Sequence, residues 1–127
     1  MPERAAATRV LIADDHTLFV EALEAILAVE PRIEVVGRAK DGAQAVELAA
    51  SLAPDVVLMD ISMPVMDGIE ATTRIREASP GARVLVLTGS SSPQDVAAAR
   101  KAGAAGYVTK DGIAAELVEA ILDAADS

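Results

Sequence analysis

Val56-Val57-Leu58-Met59-Asp60 sets four apolar side chains in an unbroken row and closes it with an acid. A strand with one wet face alternates apolar and polar residues, whereas a strand covered on both faces has no reason to alternate. The run therefore reads as a central strand of a sheet layered between helices, with Asp60 at its carboxyl end. Val10-Leu11-Ile12-Ala13 and Val84-Leu85-Val86-Leu87 have the same character. Two weaker runs, Ile33-Glu34-Val35-Val36 and Gly106-Tyr107-Val108, carry a charge or a glycine and suit the sheet's edges.

Helical patterns separate the runs. Phe19, Ala22, Leu23, Ile26 and Leu27 recur at helical spacing with Glu21 and Glu24 turned away, and Leu117, Val118, Ile121 and Leu122 repeat the design near the end. Alanine-rich segments from Ala43 to Leu52, Ile69 to Glu77 and Gln94 to Ala102 supply three more helices, the last opening at Pro93. Strand then helix, five times over, predicts an α/β fold: a doubly wound (βα)5 unit with a five-stranded parallel sheet, whose order is 2-1-3-4-5 if the arrangement is flavodoxin-like.

A chain of 127 residues holds one such domain, expected over 9–127 behind a flexible N-terminus of residues 1–8. Hydrophobic residues make up 52% but aromatics only 2%, so the core is aliphatic. Twenty acids against eleven bases leave a net charge of -9 and no basic stripe, which argues against direct nucleic-acid binding. With no cysteine, no thiolate site or disulfide forms. The absence of a signal-like start and of any bilayer-length apolar run predicts a cytoplasmic protein without membrane attachment.

In doubly wound sheets chemistry gathers beyond the carboxyl ends of the strands. There the chain places Asp14-Asp15 after the first run, Asp60 after the third, Thr88-Gly89-Ser90 after the fourth and Thr109-Lys110 after the fifth. If the first and third strands are neighbours, about 4.8 Å apart, three carboxylates crowd together and repel unless a cation joins them. A hard divalent ion such as Mg2+ suits oxygen ligands with room left for water and phosphate oxygens. With Mg2+ and Lys110 screening it, Asp60 becomes a carboxylate nucleophile for a phosphorus centre.

These residues resemble the receiver domains of two-component response regulators from Arg9 to about Ala125. The longest match is Pro54-Asp55-Val56-Val57-Leu58-Met59-Asp60-Ile61-Ser62-Met63-Pro64-Val65-Met66-Asp67-Gly68, joined in order by Asp14-Asp15, Thr88, Gly103-Ala104 and Tyr107 through Lys110. Asp14-Asp15-His16 and Gly106-Tyr107-Val108-Thr109-Lys110-Asp111 look like the NarL/FixJ subgroup, whose members usually carry a helix-turn-helix output domain. The resemblance implies that Asp60 accepts a phosphoryl group from a sensor histidine kinase. It further implies that Asp14 or Asp15, with Asp60 and the Ser62 backbone carbonyl, holds Mg2+, Asp15 being the direct ligand. Lys110 would pair with the phosphoryl group, Thr88 would donate its hydroxyl to it, and Tyr107 would change rotamer as Thr88 moves. Many receivers follow this lysine with a cis proline. Here Asp111 follows, and a cis bond without proline costs about 3–4 kcal/mol.

Simpler roles stand beside these. Asp14 could cap the first helix, Tyr107 could pack at a sheet edge, and His16, the only histidine, reads as a polar surface residue with no catalytic role. Met59, Met63 and Met66 read as packing, and Asp67-Gly68 as a turn into a helix. A flavin binder would need a phosphate loop where two acids stand, although Gly89-Ser90-Ser91-Ser92 before Pro93 could cradle an anion. A phosphohydrolase would need a general acid or base; Ser62 and Ser90, flanking the path of an attacking water, supply neither, so the chain is read as a signalling protein and not an enzyme. Output is expected through protein contacts, either as a homodimer or through an attached helix-turn-helix domain beyond Ser127. The alternative is a stand-alone receiver or interaction module without transcriptional output.

Overall fold

Five parallel strands alternate with five helices in a computed structural model that describes residues 7–89 and 92–126. The strands are β1 (Thr8–Ala13), β2 (Ile33–Ala39), β3 (Val56–Asp60), β4 (Arg83–Thr88) and β5 (Gly106–Thr109). The helices are α1 (Thr17–Ala28), α2 (Gly42–Leu52), α3 (Gly68–Ala78), α4 (Pro93–Ala102) and α5 (Ile113–Ala125). The sheet order β2-β1-β3-β4-β5 is the expected one, with the two weaker runs at the edges.

The pleat of the buried strands builds two cores. Val10, Ile12, Val56, Leu58, Leu85 and Leu87 face α1 and α5, where Leu23, Leu27, Leu117 and Ile121 meet them. Leu11, Ala13, Val57, Met59, Val84 and Val86 face the other way, against Ala45 and Ala49 of α2, Ala71 and Ile75 of α3 and Ala99 of α4. Small alanines let those three helices lie close to the sheet, which is why their apolar pattern is weaker in the sequence.

Two limits differ from expectation. Thr8, assigned above to the flexible lead-in, begins β1, pairs with Ile33 and donates its N–H to Arg32 O at 2.8 Å; residues 1–6 lie outside the described residues. Strand β2 runs on to Ala39, and its register against β1 slips between Val10–Val35 and Leu11–Gly37, leaving Val36 as an extra residue. Such a bulge is at home on an edge.

Glycines fix how closely the elements approach. The Gly68 N–H donates to Ile61 O at 3.1 Å, and a Cβ at Gly68 would stand 2.1 Å from Asp60 O. At the start of α2, Gly42 donates to Met66 O at 3.1 Å, and a Cβ there would lie 2.2 Å from the same oxygen. The β3–α3 loop is thus clamped between two helix starts. Gly68→Ala should lower stability by about 1–3 kcal/mol in urea unfolding, because backbone must move. Gly81→Ala, where nothing lies within 4 Å of the new methyl, should change it by less than about 1 kcal/mol.

Candidate functional site

The carboxyl ends of β1, β3 and β5 bring Asp14, Asp60 and Lys110 together. Ala13 pairs with Met59 in the β1–β3 ladder, so the next residue on each strand is an acid. Both acids are buried. The Lys110 ammonium reaches across, 3.1 Å from Asp14 Oδ2 and 3.4 Å from Asp60 Oδ1. Its stem starts from a fixed backbone, since the Lys110 N–H donates to Thr88 O at 2.8 Å. Asp15 sits at the exposed rim, and one ligand atom each of Asp14, Asp15, His16 and Asp60 falls within a 4.8 Å span.

The loop after β3 is held against the sheet. Ile61 N–H donates to Leu87 O at 3.0 Å, and Ser62 N–H points to Asp60 Oδ1 at 3.4 Å. At Val65 the backbone turns with φ 70° while Met66 N–H donates to Pro64 O at 2.7 Å. Left-handed backbone at a β-branched residue is strained, and the glycine clamp on both sides sustains it. Asp67 then caps α3 by accepting from Glu70 N–H, as its sequence suggests.

Burial pushes the Asp60 carboxyl above the usual carboxylate range, the Asp14 charge adds to this, and Lys110 and the Ser62 N–H oppose it. Asp60 Oδ2 and Asp14 Oδ2 are buried without a hydrogen bond, the lysine meeting Asp14 Oδ2 off its hydrogen-bonding direction. Two buried carboxylates with one ammonium between them, an unpartnered Asp60 Oδ2 and a rim acid offer hard oxygen donors with charge to spare, so the residues present fit a hard divalent cation.

The chain matches the family of response regulator receiver domains over residues 10–122. It belongs to that family. Among similar proteins, the transcriptional regulatory protein DegU of Brevibacillus brevis is 44% identical over 113 residues, which are 89% of this chain and 48% of DegU. The signal receiver domain of NarL from Mycobacterium tuberculosis superposes with a TM-score of 0.92 at 39% identity, covering 97% of this chain and 99% of that domain. Likeness to NarL agrees with the NarL/FixJ resemblance. A CheX–CheY complex with BeF3 and Mg from Borrelia burgdorferi matches with a TM-score of 0.85 at 29% identity, over 92% of this chain and 88% of that one. The chain spans about half the length of the curated relatives it matches.

Within this receiver, Asp14, Asp15, Asp60 and Lys110 lie together at the carboxyl ends of the strands. Thr88 is buried at the end of β4, opposite Thr109, and Tyr107 lies part-exposed on β5, opposite Val86. Ser62 lines the open cleft beside Asp15 and Ile61, whereas Ser90 and Ser91 lie outside the described residues. Asp14 does not cap α1. The cap position belongs to His16, and Asp14 Oδ1 accepts the His16 backbone N–H at 2.9 Å. Among the described residues every peptide is trans, Lys110–Asp111 included.

Two neighbours of the site escaped the sequence reading. The His16 ring is exposed, as a polar surface residue should be, yet its Nδ1 lies 2.9 Å from Asp14 Oδ1 and 3.7 Å from Asp60 Oδ2. Its position directly after the acid pair was the available signal. Phe19 belongs to the apolar stripe of α1, yet its ring also lies under the Lys110 ammonium.

Because its folded-state pKa is raised, the stability linked to Asp60 is fully present below the ordinary carboxylate range and is lost as pH rises through the raised value. Without divalent metal, Asp60→Asn should stabilise the receiver at pH 7 by about 1–3 kcal/mol, the scale of a buried unpaired polar atom. The advantage should shrink towards zero below about pH 4, where the free carboxyl also protonates. Urea unfolding at both pH values measures it, and a pH-independent difference would contradict the account.

Proposed function

We propose that this receiver takes a phosphoryl group from a sensor histidine kinase onto Asp60 and relays the event through altered protein contacts. The observation that carries the reading is a buried carboxylate at a strand end, with an unsatisfied oxygen, flanked by a second acid and by the Lys110 ammonium.

An Asp60 oxygen attacks phosphorus, an acyl–phosphate bond forms, and the bond from phosphorus to the donor's nitrogen breaks with its electrons leaving on that nitrogen. Lys110 pairs with the phosphoryl oxygens, and the Thr88 hydroxyl donates to them. Asp15 and Asp60, with Asp14 beside them and the Ser62 backbone carbonyl, would hold Mg2+. When bound, Mg2+ neutralises carboxylate and phosphoryl charge. The Borrelia CheY complex, which contains BeF3 and Mg, supports this chemistry for a related receiver. Ser62 supplies no base, so the phosphorylated form decays without rapid phosphatase-like turnover and the chain is a signalling module.

Relatives named as transcriptional regulators support a helix-turn-helix output domain in the whole protein. The receiver itself, at a net charge of -9 and without a basic stripe in its sequence, gains no affinity from displacing a duplex's counterions. Its signal passes through the surface of α4, β5 with Tyr107, and α5, by homodimerisation or by release of an attached domain. A cytoplasmic location follows from a kinase donor. Among the described residues no helix is long and apolar enough to cross a membrane.

Acetyl phosphate with Mg2+ should add one phosphoryl group by intact-mass analysis. Asp60→Asn should abolish the label and Lys110→Ala should slow it by about tenfold or more, one charge-assisted contact being lost. Full labelling of the Asp60→Asn chain would sink the assignment. In a low-salt DNA titration residues 1–127 should show no sequence-specific binding, while sedimentation with beryllofluoride and Mg2+ reads any change in self-association.

A further inference from the structure

Carboxylates are not the sole restraint on Lys110. Its Nζ also lies 4.5 Å from the centroid of the Phe19 ring, well inside the range of cation–π attraction. Phe19 is the chain's one phenylalanine, placed in the first turn of α1, half-buried and packed on the core between α1 and α5. Asp14 and Asp60 therefore hold the ammonium through their oxygens, and the ring holds it through its π face.

We infer that Phe19 is a positioning residue for phosphoryl transfer: its ring face keeps the Lys110 ammonium aimed at Asp60 and at the phosphoryl group formed there. The inference rests on the receiver reading of Asp60 given above.

The chemistry of the contact explains why a ring serves here. A lysine stem has four rotatable carbons, and its ammonium carries three donors. Another carboxylate would steady it but would occupy a donor and repel an incoming phosphoryl group. An aliphatic side chain would shield one side and attract nothing. The aromatic face attracts the cation through its quadrupole, adds no net charge and accepts no conventional hydrogen bond, so the N–H donors stay available for oxygen. It also keeps water from that side of the ammonium, which strengthens the remaining ion pairs. When the Asp60 oxygens are drawn into a phosphoryl group, the ring contact persists and the lysine need not be recaptured from solvent.

The test compares the wild-type chain with Phe19→Leu, which removes the π face, and Phe19→Tyr, which keeps it. Phe19→Met replaces the leucine variant if that one unfolds. Lys110 ε-methylene protons should be shifted upfield by the ring current in the wild type and in Phe19→Tyr, and should lose that shift in Phe19→Leu. Labelling by acetyl phosphate with Mg2+ should slow about three- to tenfold in Phe19→Leu, the range of a partly desolvated cation–π contact, and should stay close to wild type in Phe19→Tyr. In a Lys110→Ala background the leucine substitution should have no further effect, since the two act through one contact. Equal losses for Leu and Tyr, or an undiminished effect without Lys110, would mean packing alone and overturn the inference. So would unchanged labelling in Phe19→Leu. A wild-type chain that takes no label would sink the receiver reading and this inference with it.

Discussion

Two buried carboxylates stand on neighbouring parallel strands, and the arrangement of the whole end of the sheet answers their repulsion. Register makes the encounter unavoidable: Ala13 pairs with Met59, so Asp14 and Asp60 are the next residues on their strands. In water such a pair would be trivial. At the edge of an aliphatic core, where both are buried, each charge loses solvent and gains a like neighbour. One ammonium reaches both, and its attraction does not cancel burial plus repulsion, which is why Asp60 keeps a raised pKa. A site left short of positive charge suits a further cation beside the lysine.

The pleat decides which residues join that encounter. Alternation along β1, β3 and β5 sends Val10, Ile12, Val56, Leu58 and Val108 towards α1 and α5. The same parity, continued past the strand ends, carries Asp14, Asp60 and Lys110 to the α1 side. There they meet each other and Phe19. Thr88 has the opposite parity to Leu85 and Leu87 on β4, so it approaches from the α4 side. A one-residue slip in any of these strands would send its functional residue to the wrong layer. Full burial on both faces makes such a slip costly and so protects the site.

Much of this was legible in the chain because the three central strands advertise themselves as unbroken apolar runs, and their closing residues are the site. Asp67 and Pro93 likewise mark helix starts by local chemistry. What stayed hidden is what depends on neighbours. Strand β2 is half-exposed and ends in Gly37-Arg38-Ala39, so no apolar run marks its true limit or the bulge at Val36. Asp14 looked like a helix cap, yet the helix starts two residues later and the cap position passes to His16. His16 sits at the site because it directly follows the acid pair, whereas Phe19 meets Lys110 from the first turn of α1, a through-space relation that spacing alone does not express. The tight turn at Val65 was equally unreadable, because a β-branched residue gives no warning of a left-handed backbone.

The distance from site to outer surface is short in covalent terms. The Lys110 N–H is bonded to Thr88 O, tying the end of β5 to the end of β4. Lys110 is therefore anchored at its backbone to Thr88 while its ammonium bridges Asp14 and Asp60. Three residues earlier, on the edge strand β5, Tyr107 is part-exposed beside Val86. An edge strand of four residues, hydrogen-bonded along one side, is the least restrained part of the sheet. Tyr107 lies on that strand and Lys110 directly follows it, so the residue that meets the buried acids and the part-exposed tyrosine belong to one short stretch of backbone at the sheet's edge. Only that short stretch of backbone separates the contact with the buried acids from the protein's surface.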